Sequence, residues 1–165
     1  MLTLHVTLCF IGLLAGAWVL LALCRGQRQP SWDFVLLSST VLISLTGFAL
    51  PSPPGTPTPD PARILGIIEL ILVAIAALAL YAGQPTRARR GIYAVTMVLA
   101  VYFNVFVAVA QAFLKIDSLH ELAPTGTEPV FLIAQLVTLS LFGVIGFIAF
   151  RRSRPQMIAE HAVKH

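Results

Sequence analysis

The sequence predicts an all-α membrane protein of five transmembrane helices. Three observations carry that prediction. First, 58% of the 165 residues are hydrophobic and only 11% are charged, with mean hydropathy +0.88. Soluble domains carry about 25% charged residues. Second, five apolar stretches, Leu4–Cys24, Phe34–Leu50, Ile64–Ala82, Ile92–Leu114 and Val130–Phe150, approach or exceed the ~20 helical residues that cross a ~30 Å hydrocarbon core. None alternates with the period of two of a barrel strand, and helices satisfy their own backbone groups in lipid. Third, the basic residues alternate between loops. Arg25, Arg28, Arg87, Arg89, Arg90, Arg151, Arg152, Arg154 and Lys164 fall on one side of a five-span topology, against Arg63 and Lys115 on the other. Cytoplasmic loops are enriched in Lys and Arg, so the N-terminus is expected outside and the C-terminus in the cytoplasm.

The first stretch is read as a retained span. No Lys or Arg precedes it and no A-x-A site follows. Leu21-Ala22-Leu23-Cys24 resembles a lipoprotein processing box, but Leu23 is large where a small residue is needed. Cys9 and Cys24 lie about 22 Å apart on this helix at about 1.5 Å per residue, too far to bridge. Gly12 and Gly16 allow close helix approach, read as intramolecular packing ahead of a dimer seam. The second stretch is the shortest. The loop PSPPGTPTPDPA (Pro51–Ala62) is a stiff spacer, since proline fixes φ and removes donors. Trp32, Tyr81 and Tyr93 fall at expected cytoplasmic boundaries, as interfacial anchors do; Trp18 and Tyr102 lie deeper and are read as packing residues. Residues 1–150 form one bundle, and 151–165 a short polar cytoplasmic tail whose His161 and His165 are too few for a metal tract.

Ionisable groups inside membrane helices are costly and point to function. Glu69 lies about 9 Å inside Arg63 and shares a helix face with Gly66 and Val73. In the fourth stretch Ala100, Asn104, Ala108, Gln111 and Lys115 form one side, expected to face the bundle. Tyr102, Phe106, Val109 and Phe113 form the other, expected to face lipid. With His5, Thr7, Ser44, Thr46 and Gln135 these residues make a polar set in one leaflet, capped by the Lys115–Pro129 loop. The candidate ligand-binding residues are Glu69, Asn104, Gln111, Lys115, Glu128 and Gln135. Three uses compete: a structural core with Glu69 paired to Lys115 or Arg63, a ligand or ion site, and contacts with another subunit.

Known chemistries find little support. The net charge of +4 sits beside apolar segments without interleaved aromatic residues, so no nucleic-acid partner is expected. Bis-histidine haem ligation needs two facing imidazoles, and only His5 and His120 lie near the membrane. His120-Glu121 lacks HExxH context, no hydrolase or phosphate-loop motif occurs, and no metal, haem or quinone is expected. Five helices do not split into the equal halves of inverted-repeat transporters, so transport would need a homo-oligomer or a larger membrane complex.

The segments Tyr102-Phe-Asn-Val-Phe-Val107, Gln111-Ala-Phe-Leu-Lys115, Leu122-Ala-Pro-Thr125 and Glu128-Pro129 resemble a group of small uncharacterised bacterial inner-membrane proteins. The similarity extends along most of the chain, including Thr46-Gly-Phe48 and Gly66-Ile-Ile68. It implies a bacterial inner-membrane location and no particular activity. In that group a small polar residue stands where Glu69 stands here, which shifts weight to Asn104, Gln111, Lys115, Glu128 and Gln135. The resulting expectation is a non-enzymatic binding or transport-associated component with a polar cavity in the outer leaflet. Two alternatives stay open. Visible absorbance or a co-purifying quinone would mark a membrane redox or lipid-handling subunit, and stable co-purification of other chains a structural subunit of a larger complex.

Overall fold

Prolines and caps, ahead of the apolar runs, set where the helices start. The computed structural model describes residues 2–52, 55, 58, 60–82 and 86–153. Among these it places α1 at Leu2–Cys24, α2 at Pro30–Ala49, α3 at Pro61–Tyr81, α4 at Arg87–Lys115, a one-turn α5 at Asp117–His120 and α6 at Pro129–Arg152. Pro30, Pro61 and Pro129 each open a helix, the position where a missing N–H costs nothing. Asp60 caps α3 by accepting from the Ala62 amide, and Thr86 caps α4 by accepting from the Arg89 amide. The second span is therefore 20 residues long and starts four residues before its apolar run. The tail beyond Ser153, with His161 and His165, and much of the Pro51–Ala62 loop lie outside the described residues.

All five long helices are long and apolar enough to cross a membrane, so the chain is a multi-pass helical membrane protein. Consecutive spans run antiparallel. His5 near the start of α1 meets Thr46 near the end of α2, and Gly91 at the start of α4 lies against Phe150 at the end of α6. Two ends result. One, the arginine-rich end, carries Arg25, Arg28, Arg87, Arg89, Arg90, Arg151 and Arg152, with Asp33. The other, the acidic end, carries Asp60, Glu69, Asp117, Glu121 and Glu128, with Arg63 and Lys115.

α4 is the centre of the bundle: α1, α3 and α6 all pack on it, and α2 closes against α1 and α3. Leu36, Met97, Val19 and Val101 are the largest apolar side chains fully enclosed. Gly16 and Gly91 permit the closest approaches. A Cβ on Gly16 would stand 2.8 Å from Val101 of α4, and one on Gly91 2.8 Å from Phe150 of α6. Gly12 faces Ser39 and Ile43 of α2, so the Gly12–Gly16 pair packs within the chain. Trp18 stacks on Trp32 with ring centroids 5.8 Å apart.

The expected division of α4 into a bundle face and a lipid face holds only in part: Ala100 and Asn104 are buried as expected, but the aromatic side is covered as well. Phe113 is buried, with its ring edge-on to Phe131 of α6 at 5.4 Å, and Tyr102 meets Phe142 edge-on at 5.6 Å. Gln111 and Lys115 are exposed instead. A central helix has neighbours on both sides, and α6 covers the aromatic face that a peripheral helix would show to lipid.

Candidate functional site

Two polar clusters are built into the bundle, one near each end. At the acidic end, α1, α2 and α3 bring together His5, Ser44, Thr46 and Glu69. His5 Nδ1 and Thr46 Oγ1 share a hydrogen bond of 2.8 Å. Thr46 donates its one hydroxyl proton to its own helix, at the Leu42 carbonyl, so in the bond to His5 the imidazole Nδ1–H donates and Thr46 Oγ1 accepts. Glu69 is only 5% exposed, and Ser44 donates to its Oε2 across a long 3.4 Å.

The expected pairing of Glu69 with Lys115 or Arg63 is not made. Arg63 instead lies 3.9 Å from Asp60, one turn away at the start of its own helix. Lys115 sits exposed in the last turn of α4, where the helix dipole favours a cation. Among the described residues no cationic side chain forms an ion pair with Glu69.

The other candidates are dispersed. Asn104 is buried on α4 but donates to the Ala100 carbonyl of its own helix. Gln111 is exposed. Gln135 reaches from α6 to α4, its Nε2 donating to the Phe106 carbonyl at 3.2 Å, while its buried Oε1 has no hydrogen-bond partner. Exchanging the amide oxygen and nitrogen would set oxygen against oxygen, so this bond fixes the orientation. Glu128 folds back on its own loop, accepting from the Thr125 amide and hydroxyl and from the Thr127 amide around Gly126 at φ 71°. Desolvation works against its charge, but the Thr125 bonds outweigh it and hold the carboxyl below the ordinary Glu range. The Thr125–Pro129 part of the loop is thus a self-bonded turn that starts α6.

The arginine-rich end holds a cluster that the apolar runs do not reveal. Asp33, 1% exposed in the first turn of α2, receives the Arg28 Nε on Oδ2 at 2.8 Å and the Tyr93 hydroxyl on Oδ1 at 2.5 Å. The Arg28 guanidinium also lies 5.8 Å from the centre of the Tyr93 ring. Desolvation opposes the charge on Arg28, yet its hydrogen bond and attraction to Asp33 prevail and raise its proton affinity. The triad ties the α1–α2 turn to the start of α4. That turn is a Schellman motif, with Gly26 at φ 70° and the Gln27 amide bonded to the Ala22 carbonyl. A helix boundary placed at Phe34 leaves Asp33 in the loop by one residue. Reading Pro30 as the first helical position moves it inside, where a negative charge suits the helix start.

No group of three or more His, Cys, Asp or Glu side chains that could hold a metal ion occurs among the described residues. Two open apolar grooves involve α6, one on its outer face and one between it and α4. No protein-family model, curated protein or solved structure matches the chain.

Proposed function

We propose that the chain is a bacterial inner-membrane protein with its N-terminus outside and its C-terminus in the cytoplasm. In this reading it acts as a non-enzymatic binding or transport-associated component, and its site is the His5–Ser44–Glu69 cluster in the outer half of the bundle. The orientation rests on the distribution of arginine, since basic residues concentrate on the cytoplasmic side.

The binding reading rests on one observation: Glu69 is buried among three helices with a distant hydroxyl and, among the described residues, no cationic side chain paired to it. A buried carboxylate has to be paired or neutralised. Its complement, a small cation or a proton, comes from outside the chain. Ser44 supplies a second oxygen beside the carboxylate, and the His5–Thr46 pair lines the same end of α1 and α2.

Thermal unfolding of the detergent-purified protein tests this. Sodium, potassium and ammonium are compared at constant ionic strength, followed by a pH series, for the wild type and Glu69→Gln. A bound cation at a hundred times its Kd would raise the wild-type Tm by about 5 °C or more and leave Glu69→Gln unmoved. Identical responses of the two proteins to every cation and across pH would defeat the proposal.

A further inference from the structure

We infer that the groove between α4 and α6 holds one acyl chain of an anionic phospholipid, with Arg151 at its mouth meeting the lipid phosphate. The inference stands apart from the Glu69 reading and concerns the opposite end of the bundle.

The groove encloses about 340 Å³, with Val98 and Tyr102 on the α4 side and Leu139, Gly143, Gly146 and Phe147 on the α6 side. Gly143 and Gly146 lie three residues apart and share a helix face. A Cβ added to Gly143 would meet nothing within 4 Å. The seam is therefore unfilled there because α6 has no side chain to put into it. Its apolar walls favour an apolar occupant along their length, and its opening to the bilayer side admits a chain.

The arginine-rich end supplies the headgroup site. The Arg151 guanidinium lies 5.5 Å from the centre of the Phe147 ring, and Phe147 lines the groove. Among the described residues Arg151 has no carboxylate partner. Among the described residues the acid at this end, Asp33, is buried and already bonded to Arg28 and Tyr93. The exposed guanidinium at the groove mouth thus has no counter-charge among the described residues, and a phosphate matches its planar donor geometry. A second copy of the chain is a poorer occupant. A two-fold approach across this seam would bring Arg151 and Arg152 of both copies to the same level, like charge facing like charge.

Native mass spectrometry of the protein released from bilayers of equal phosphatidylglycerol and phosphatidylcholine tests the assignment. The wild type should retain phosphatidylglycerol with about a fivefold preference, the contribution of one arginine near an anionic headgroup. Arg151→Gln should keep a bound lipid and lose the preference. Gly143→Leu, which fills the groove, should lose retained lipid of both kinds while its helical circular dichroism stays at the wild-type level. Gly143→Ala provides a smaller step into the same space should leucine disturb folding, and should reduce retention in part. Equal retention of the two lipids by the wild type, or undiminished retention in both Gly143 variants, would overturn the inference. So would a dimer that Gly143→Leu converts to monomer with its bound lipid unchanged, because a second copy would then occupy the groove.

Discussion

Removing Arg28 should harm the protein more than removing its partner Asp33, although the two share one ion pair. The reason is unequal burial: the Arg28 side chain is 41% exposed and that of Asp33 is 1% exposed. Arg28→Ala strands a carboxylate that water cannot reach, with only the Tyr93 hydroxyl left to it. Breaking a buried pair in this way costs about 3–5 kcal/mol. Asp33→Ala leaves an arginine that water can solvate, so the lost pair itself contributes only about 0–1 kcal/mol. To this are added about 1–3 kcal/mol for the stranded Tyr93 hydroxyl and about 0.3–1 kcal/mol for the charge lost at the start of α2. The central expectation is about 4 kcal/mol for Arg28→Ala and about 3 kcal/mol for Asp33→Ala.

The double variant sharpens the test. With Asp33 gone, Arg28 has nothing buried to neutralise, so the double variant should match Asp33→Ala. Adding Asp33→Ala to Arg28→Ala should therefore restore about 1 kcal/mol. Reversible unfolding in dodecylmaltoside–dodecylsulfate micelles at neutral pH, followed by far-ultraviolet circular dichroism, measures all three. If the double variant loses the sum of the single losses, the two side chains act independently and the argument from burial fails.

Close packing gives a graded series on α1 and α6. Gly16→Ala should destabilise by about 1–3 kcal/mol, because the added methyl meets the enclosed, β-branched Val101. Gly12→Ala should cost less, since its nearest neighbour is the flexible end of Ile43. Gly143→Ala should be neutral or stabilising by up to about 1 kcal/mol from helix propensity; the same unfolding assay ranks them, and a reversed order would refute the packing argument. For orientation, a background lacking Cys9 and Cys24 should label from outside at Thr125→Cys and not at Gln27→Cys, both of which are exposed. The opposite pattern would invert the proposed topology. Asp60 accepts from Ser52 and from the Ala62 amide, which together hold its carboxyl below the ordinary Asp range. A lowered folded pKa means the contribution to stability is present above the unfolded value and is lost as pH falls through the folded one. Carboxyl-carbon NMR should place the Asp60 midpoint below the ordinary value in the wild type and higher in Ser52→Ala; an unchanged midpoint would show that the Ser52 bond is not formed in solution.

Much of the fold was legible because crossing a membrane imposes a one-dimensional constraint. Apolar length locates the spans, and Pro30, Pro61 and Pro129, read as first helical positions, would have located their starts as well. The candidate site was only partly legible. Glu69 was found because a carboxyl within an apolar run is conspicuous, and its packing among α1–α3 follows from Gly66 lying against Phe48 and Ser44 on the same face. Its lack of a cationic partner was not legible, because Lys115 and Arg63 lie near the same level in the sequence and only side-chain direction separates them. Asp33 was missed because an apolar window begins one residue too late. Glu128 and Thr125, conspicuous as a loop motif, turned out to hold each other.

The sequence by itself determined that this chain forms five apolar helices in alternating directions, with arginine gathered at one end and most of the carboxylates at the other. Composition and order along the chain suffice for that, because lipid penalises any unpaired backbone group. Only the tertiary structure decided that α4 is central, that its aromatic face is covered by α6, and that Arg28 and Tyr93 meet on the buried carboxylate of Asp33. The physical reason is that the bilayer is as apolar as the side chains it meets. Hydrophobicity therefore says that a helix is in the membrane without saying which face meets another helix. Shape decides that question, through a glycine that admits Val101 or Phe150 and a carboxyl that two donors from separate segments can reach.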